Sequence, residues 1–216
     1  TGRTARKFKL MKYRAIINKG ASILKDNLIL TANIDAELLL SKIVSTSREK
    51  ILLNLESELN QDKIEEYINL INRRTKKEPV SQITGKKFFW KDEFVVNKNV
   101  LTPRFETELL VEEVIKSFKH INNIRVLDAG VGSGCILISL LSEKKNWRGV
   151  GVDISRLALK TARINAKIQQ IENRIRFINS DIDKFSGNKY DLIVSNPPYI
   201  NKVGYSSLDT SVRCFE

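Results

Sequence analysis

The stretch Ile124-Arg125-Val126-Leu127-Asp128-Ala129-Gly130-Val131-Gly132-Ser133-Gly134-Cys135-Ile136-Leu137-Ile138 decides the fold. Its first four residues are a short, largely apolar run, which predicts a buried strand. Asp128 to Gly134 read as the loop after it, with glycine at 130, 132 and 134, and the apolar run from Cys135 opens a helix. Glycines let the backbone turn sharply and approach a ligand closely. A strand, a glycine loop and a helix in that order predict a ligand site at the carboxyl end of a parallel strand. The pattern is Asp-x-Gly-x-Gly-Ser-Gly. The dinucleotide fingerprint Gly-x-Gly-x-x-Gly fails, because its third glycine would fall on Cys135. That favours a ligand with no pyrophosphate to cradle.

Further on, Val150-Gly151-Val152 reads as a second strand ending in Asp153. An acid about 20 positions after the glycine loop, at a strand's end, suits a ribose diol. A helix is expected from Leu157 to Gln169, then a third strand, Ile175 to Ile178, leading to Asp181 and Ile182. A fourth apolar run, Tyr190 to Ser195, ends in Asn196-Pro197-Pro198-Tyr199. Strands alternating with helices mean parallel βαβ units with right-handed crossovers, so the fold class is α/β. Every polar candidate falls at a strand's carboxyl end.

The two prolines stop the ladder after the fourth strand, because neither donates an N–H and each fixes φ near −65°. Asn196 precedes a proline and is held extended. A stiff loop of this kind suits a planar nitrogen as nucleophile, an amide or an aromatic amine. The Asn196 side-chain oxygen and the Pro197 carbonyl supply two acceptors for its two N–H groups, and the Tyr199 ring fixes the plane of attack. This is catalysis by orientation more than by a strong base.

Upstream, Met11 to about Lys77 reads as a small helical bundle. Apolar residues recur at helical spacing at Tyr13, Ile16, Ile17, Ile23 and Leu24, and again at Ile34, Leu38, Leu39 and Ile43 with Asn33 as N-cap. Ile51, Leu52 and Leu55 make a shorter piece. Ile64, Tyr67, Ile68 and Ile71 make another, entered through Asn60 and closed by Arg73, Arg74, Lys76 and Lys77, cations that suit a helix's carboxyl end. Pro79 breaks the pattern. Ile83, Phe88 to Trp90 and Phe94 to Val96 then read as a β-hairpin with Lys91-Asp92-Glu93 as its turn, and its aromatic residues are expected to pack at the hinge. A helix over about Glu106 to Lys119 precedes the glycine loop.

The formal charge is +12, but residues 1–14 hold six cations and no acid, leaving +6 spread over the remaining 202 residues. Direct nucleic-acid binding is not expected from so diffuse a charge. No run reaches the roughly 18 apolar residues of a membrane span. Two distant cysteines, Cys135 and Cys214, argue for a reducing compartment, and cytoplasmic localisation is expected. The lone His120 reads as a solvated helix end.

With these residues in place, the chain resembles a class I S-adenosylmethionine-dependent methyltransferase, and more closely the HemK (PrmC) family. The resemblance rests on the Asp128 to Gly134 loop, Asp153 and Asn196 to Tyr199. Glu78-Pro79-Val80 with Ile83-Thr84-Gly85, Phe89-Trp90, and Thr102-Pro103-Arg104 with Thr107-Glu108 are more specific to the family than the Asn-Pro-Pro-Tyr loop, which adenine-N6 methyltransferases share. It implies a Rossmann-like methyltransferase sheet, S-adenosylmethionine as cofactor, and methylation of the glutamine amide nitrogen in the Gly-Gly-Gln motif of class 1 peptide chain release factors. Asp128, Gly130, Val131, Gly132, Ser133 and Gly134 would then line the cofactor together with Asn196. Asp153 would take the ribose hydroxyls, and Asp181 and Ile182 would lie near the adenine, where the family often has an aromatic residue. Asn196, Pro197, Pro198 and Tyr199 would bind the glutamine amide. Phe105 stands where the family usually has proline.

The domains expected are a basic leader at 1–10, a helical substrate-recognition domain at 11–78, a β-hairpin linker at 79–102 and a methyltransferase domain at 103–216. Met11 is the expected natural start. The resemblance implies further strands past Phe215-Glu216, so the sheet is expected to be incomplete at its C-terminal end. A monomer, no metal and no membrane partner are expected. Two other readings remain: an adenine-N6 methyltransferase acting on DNA or RNA, and an inactive remnant that keeps a cofactor loop.

Overall fold

The computed structural model describes residues 10–187 and 189–197. Contacts divide the chain between Thr84 and Gly85 into two compact units. In the first, α1 (Tyr13–Asp26), α2 (Ala32–Val44) and α4 (Gln61–Thr75) pack on one another, with the shorter α3 (Arg48–Leu53) and α5 (Val80–Thr84) against α2. Ile16, Leu24, Leu39, Leu40, Ile51 and Ile71 are buried at its centre. Tyr67 lies among them, and its hydroxyl donates to the Ala36 carbonyl at 3.2 Å. A side chain at Gly20 would meet that hydroxyl at 2.1 Å, so α1 and α4 approach closely only because position 20 has no Cβ. β1 (Met11–Lys12) pairs antiparallel with β2 (Glu58–Leu59), two strands too short for alternation to register in a sequence.

Several local readings change. α2 begins at Ala32, so Asn33 is inside the first turn and Thr31 is the N-cap. Thr31 donates its hydroxyl to Asp35 Oδ2 at 2.9 Å and leaves the backbone uncapped by a side chain. Asn60 does cap α4, accepting the Lys63 N–H at 3.0 Å. Arg73 and Arg74 do more than balance the helix dipole. Arg73 Nε reaches Glu78 Oε2 at 2.8 Å, and Arg74 Nε reaches Asp35 Oδ2 at 2.6 Å. The second pair is withdrawn from water, with the side chains 15% and 5% exposed.

Ile83 is helical, against the strand expected there. Its N–H bonds to the Pro79 carbonyl at 3.0 Å, so Pro79 opens a short helix, the position where a proline's missing N–H costs nothing. The hairpin itself forms in the second unit from β3 (Lys86–Phe89) and β4 (Asp92–Val95). Its turn is Trp90-Lys91, with Trp90 in the left-handed region at φ 58°, so Asp92 and Glu93 belong to the strand. Phe89 is buried with its ring edge-on to Phe94 at 6.0 Å, while Phe88 faces out.

The second unit is built on a parallel sheet of β5 (Arg125–Ala129), β6 (Arg148–Asp153), β7 (Ile175–Asn179) and β8 (Leu192–Ser195). The order is β7-β6-β5-β8. The chain runs outward from β5 through β6 to β7 and then returns to the other side of β5. The order therefore reverses between β5 and β8, the crevice where open α/β sheets bind ligands. Asp128 and Ala129 belong to β5, so the loop proper begins at Gly130. A 3₁₀ turn (Phe105–Thr107) leads into α6 (Glu108–Ser117). α7 (Cys135–Glu143) and α8 (Arg156–Ile168) are the crossover helices. α7 is apolar nearly all round and is buried from Cys135 to Leu141, as a helix covering parallel strands should be. Trp147 is wholly buried, donates to the Ile121 carbonyl at 3.2 Å and meets Phe118 edge-on. Among the described residues no helix is long and apolar enough to cross a membrane, and no group of acids, cysteines or histidines could hold a metal.

Candidate active site

The glycine loop is folded against the end of β6. Gly130 and Val131 both donate to the Val152 carbonyl, at 2.9 and 3.0 Å, and Gly134 donates to the Val131 carbonyl at 2.8 Å. Gly130, Gly132 and Gly134 have φ of 79°, 53° and 83°, a region that side chains disfavour. A Cβ on Gly134 would also strike Ile138 at 2.8 Å, whereas one on Gly130 would meet nothing within 4 Å and one on Gly132 only the Gly130 carbonyl at 3.9 Å. Two of the three glycines thus border a crevice, and the third lets α7 begin.

Asp153 ends β6 and ties the glycine loop to the turn that enters α8. Oδ2 accepts the Gly132 N–H at 2.9 Å and Oδ1 accepts the Ser155 N–H at 2.8 Å. The carboxylate is thereby fixed in plane, and each oxygen keeps a second lone pair for a ligand hydroxyl. The Val131 and Ser133 side chains turn inward and are buried. Ser133 presents its carbonyl to the Asn165 side chain at 2.9 Å.

Among the described residues, the Asp128 carboxylate and the Ser139 hydroxyl are buried without a hydrogen-bond partner, and Asp128 is the one that carries an ionisable group. It is 1% exposed, and neither carboxylate oxygen has a hydrogen-bond partner. Burial pushes its pKa up to about 7 and the nearby negative charge of Asp153 adds to this; the Leu137 N–H in the first turn of α7 offsets part of the effect without reaching hydrogen-bond geometry. An orphaned buried acid under a glycine loop fits a ligand that brings positive charge, as a sulfonium and an ammonium would. The residues present therefore fit S-adenosylmethionine. Cys135 beside it is no nucleophile, since burial pushes its thiol up to about 12.

Asp181 caps the 3₁₀ turn at 182–184, its Oδ1 accepting the Asp183 N–H at 3.1 Å, and Ile182 is exposed on that turn. Asn196 follows β8 directly. Ser195 pairs with Ala129 and donates its hydroxyl to the Ala129 carbonyl at 2.7 Å, so Asn196 and Gly130 leave neighbouring strands side by side. Asn196 is half-buried and its Nδ2 donates to Thr107 Oγ1 at 3.1 Å. Pro197 is exposed; Pro198 and Tyr199 lie outside the described residues.

Sequence reading missed Asn165, Thr107 and Glu108 as site supports. Asn165, 1% exposed on α8, accepts the Val95 N–H at 2.8 Å and donates to the carbonyls of Val95 and Ser133. Its one sequence signal is a carboxamide on the apolar stripe that holds Leu159, Ala162 and Ala166. Two clefts of ≈ 240 and ≈ 310 Å³ lie at the opposite edge of the sheet, around Arg125 and Arg148, and hold none of the candidate residues. The chemistry belongs to the carboxyl edge, where the glycine loop, Asp153 and Asn196 converge.

A family model for the methyltransferase small domain matches residues 105–211, and one for the PrmC N-terminal domain matches 15–85. The release factor glutamine methyltransferase of Caulobacter vibrioides is 41% identical over 89% of this chain and 67% of its own length. That of Leptospira interrogans is 43% identical over 86% of this chain and 66% of its own length. A bifunctional methyltransferase of Rickettsia typhi is 38% identical, and the match covers 78% of this chain and 36% of that protein. The chain belongs to the release factor glutamine methyltransferase family, and it spans about two thirds of the first two relatives and about a third of the last.

Proposed function

We propose that this chain transfers a methyl group from S-adenosylmethionine to the side-chain amide nitrogen of the glutamine in the Gly-Gly-Gln motif of class 1 peptide chain release factors. The observation that carries the reading is the meeting of Asn196 with the glycine loop where the strand order reverses. When bound, S-adenosylmethionine supplies an electrophilic methyl on a sulfonium that leaves as a neutral thioether. Gly130, Val131, Gly132, Ser133 and Gly134 would hold its methionine part, with Asp128 supplying negative charge beneath. Asp153 would take the ribose hydroxyls, and Asp181 and Ile182 would border the adenine.

Asn196 does the orienting. With Nδ2 donating to Thr107, the carboxamide turns Oδ1 to the other side, where it would accept one substrate N–H. The Pro197 carbonyl would accept the other N–H. Held this way, the amide nitrogen would be aimed at the methyl group that the cofactor supplies, and as a carbon–nitrogen bond replaced the carbon–sulfur bond the nitrogen would pass one proton to water. Pro198 and Tyr199 would pack on the amide plane. The helical unit is proposed to recognise the release factor, which would put the reaction in the cytoplasm, with the chain working as a monomer.

The test is transfer of a labelled methyl group from S-adenosylmethionine to purified release factor, beside a control factor whose Gly-Gly-Gln glutamine is replaced. Label in the intact factor alone, abolished by Asn196→Ala, is the expected result. Equal label in both factors, or label on an adenine-containing oligonucleotide in place of the factor, would overturn the reading.

A further inference from the structure

The stretches Phe89-Trp90 and Thr107-Glu108 stand out in the sequence, yet none of these residues reaches a reacting atom in the proposed chemistry. The structure joins them into one brace. Thr107 Oγ1 accepts the Asn196 Nδ2–H at 3.1 Å across 89 residues of chain. The next residue, Glu108, accepts the backbone N–H of Trp90 through Oε1 at 3.0 Å. Trp90 in turn donates its indole N–H to Glu143 Oε1 at 2.8 Å, and Lys91 pairs with that same carboxylate. The hairpin tip is thus tied to the start of α6 and the end of α7. The short 3₁₀ turn that carries Thr107 is fixed at its downstream end by the carboxylate of Glu108.

We propose that Thr107 is a positioning residue for methyl transfer, acting through Asn196, and that Glu108 holds Thr107 in place through the hairpin tip. This rests on the methyltransferase reading above. The physical reason is that Asn196 follows the last residue of β8 and precedes a proline, so its backbone is stiff while its carboxamide could still turn about two side-chain bonds. A carboxamide offers an acceptor on one side and donors on the other, and a wrong turn presents N–H groups to the substrate's N–H groups. Engaging Nδ2 with Thr107 selects the orientation in which the oxygen is turned to the opposite side. A small misplacement of an orienting group can cost about 100-fold in rate.

Two measurements test this. The first needs no turnover: the side-chain amide protons of Asn196, assigned by their loss in Asn196→Asp, are followed by hydrogen exchange in nuclear magnetic resonance. They should be protected in the unaltered chain and in Thr107→Ser, and exchange freely in Thr107→Val. The second is methyl transfer to release factor. Thr107→Val should lose roughly 10- to 100-fold in kcat with the KM for S-adenosylmethionine unchanged, Thr107→Ser should retain most of the rate, and Glu108→Gln should fall between. Free exchange of these protons in the unaltered chain would overturn the brace. Full activity of a folded Thr107→Val would overturn its role. An unaltered chain that transfers no methyl group while its Asn196 protons stay protected would instead refute the methyltransferase reading and leave the brace standing.

Discussion

Replacing Asp128 by Asn should change how stability depends on pH. The carboxyl ordinarily releases its proton near 3.8, but burial in β5 raises this to about 7. Between those values the folded chain keeps the proton and the unfolded chain does not. The stabilisation from protonated Asp128 is therefore complete below about pH 4 and is lost as pH rises through 7. Each pH unit in the interval is worth about 1.4 kcal/mol, so the whole loss is on the order of 4 kcal/mol. Asn has the same shape and no charge, so the variant should gain on the unaltered chain by that amount between pH 4 and 8. The assay is urea unfolding followed by tryptophan fluorescence, since both tryptophans, Trp90 and Trp147, lie in the second unit. Asp153→Asn removes the neighbouring negative charge and should recover a smaller part of the loss. A stability difference between Asp128→Asn and the unaltered chain that stays constant from pH 4 to 8 would refute the reasoning.

Other substitutions probe separate parts of the chain. Asp35→Ala leaves the largely enclosed Arg74 guanidinium with the Glu78 carbonyl but no carboxylate, and should cost the helical unit up to about 3–5 kcal/mol; a loss under about 1 kcal/mol in helical ellipticity melts would mean that water reaches Arg74, and adding Arg74→Leu should restore part of the deficit. Gly134→Ala forces a side chain into the left-handed region and against Ile138, so tryptophan-monitored stability should fall by about 1–3 kcal/mol. Gly130→Ala shares the backbone strain without the collision and should cost clearly less; equal losses would show that the Ile138 contact relaxes away.

The α/β sheet was legible because each strand is short, apolar and punctuated. Gly130, Asp153 and the pair of prolines after Asn196 mark carboxyl ends with residues whose backbone or charge suits little else. What escaped is mostly contact between distant parts of the chain. Asn165 on α8 is an ordinary polar residue in sequence, Thr107 stood out only as part of a motif with no contact attached to it, and only the fold brings the two to Ser133 and Asn196. Pro79 misled because a proline can open a helix as readily as end one, which made Ile83 look extended. The turn at Trp90 escaped for another reason: a tryptophan at positive φ has no propensity behind it and is held by Glu108 and Glu143. Asp153 was read as a ligand-binding acid, and what the structure displays is its bonding to Gly132 in the glycine loop and to Ser155 at the start of α8.

Asn165 meets the backbone of Val95 as a neighbouring strand would, returning both its N–H and its carbonyl to one carboxamide. Gln169 covers the Glu93 carbonyl further along the same edge, at 3.5 Å. The outer edge of β4 is thus covered by Asn165 of α8 and by Gln169 just past its end. An unpaired strand rim is a template on which other chains can assemble. One side chain therefore supports the glycine loop at Ser133 and covers the backbone of β4 at Val95, so a substitution at 165 made to tune ligand affinity would be expected to lower the yield of soluble protein as well.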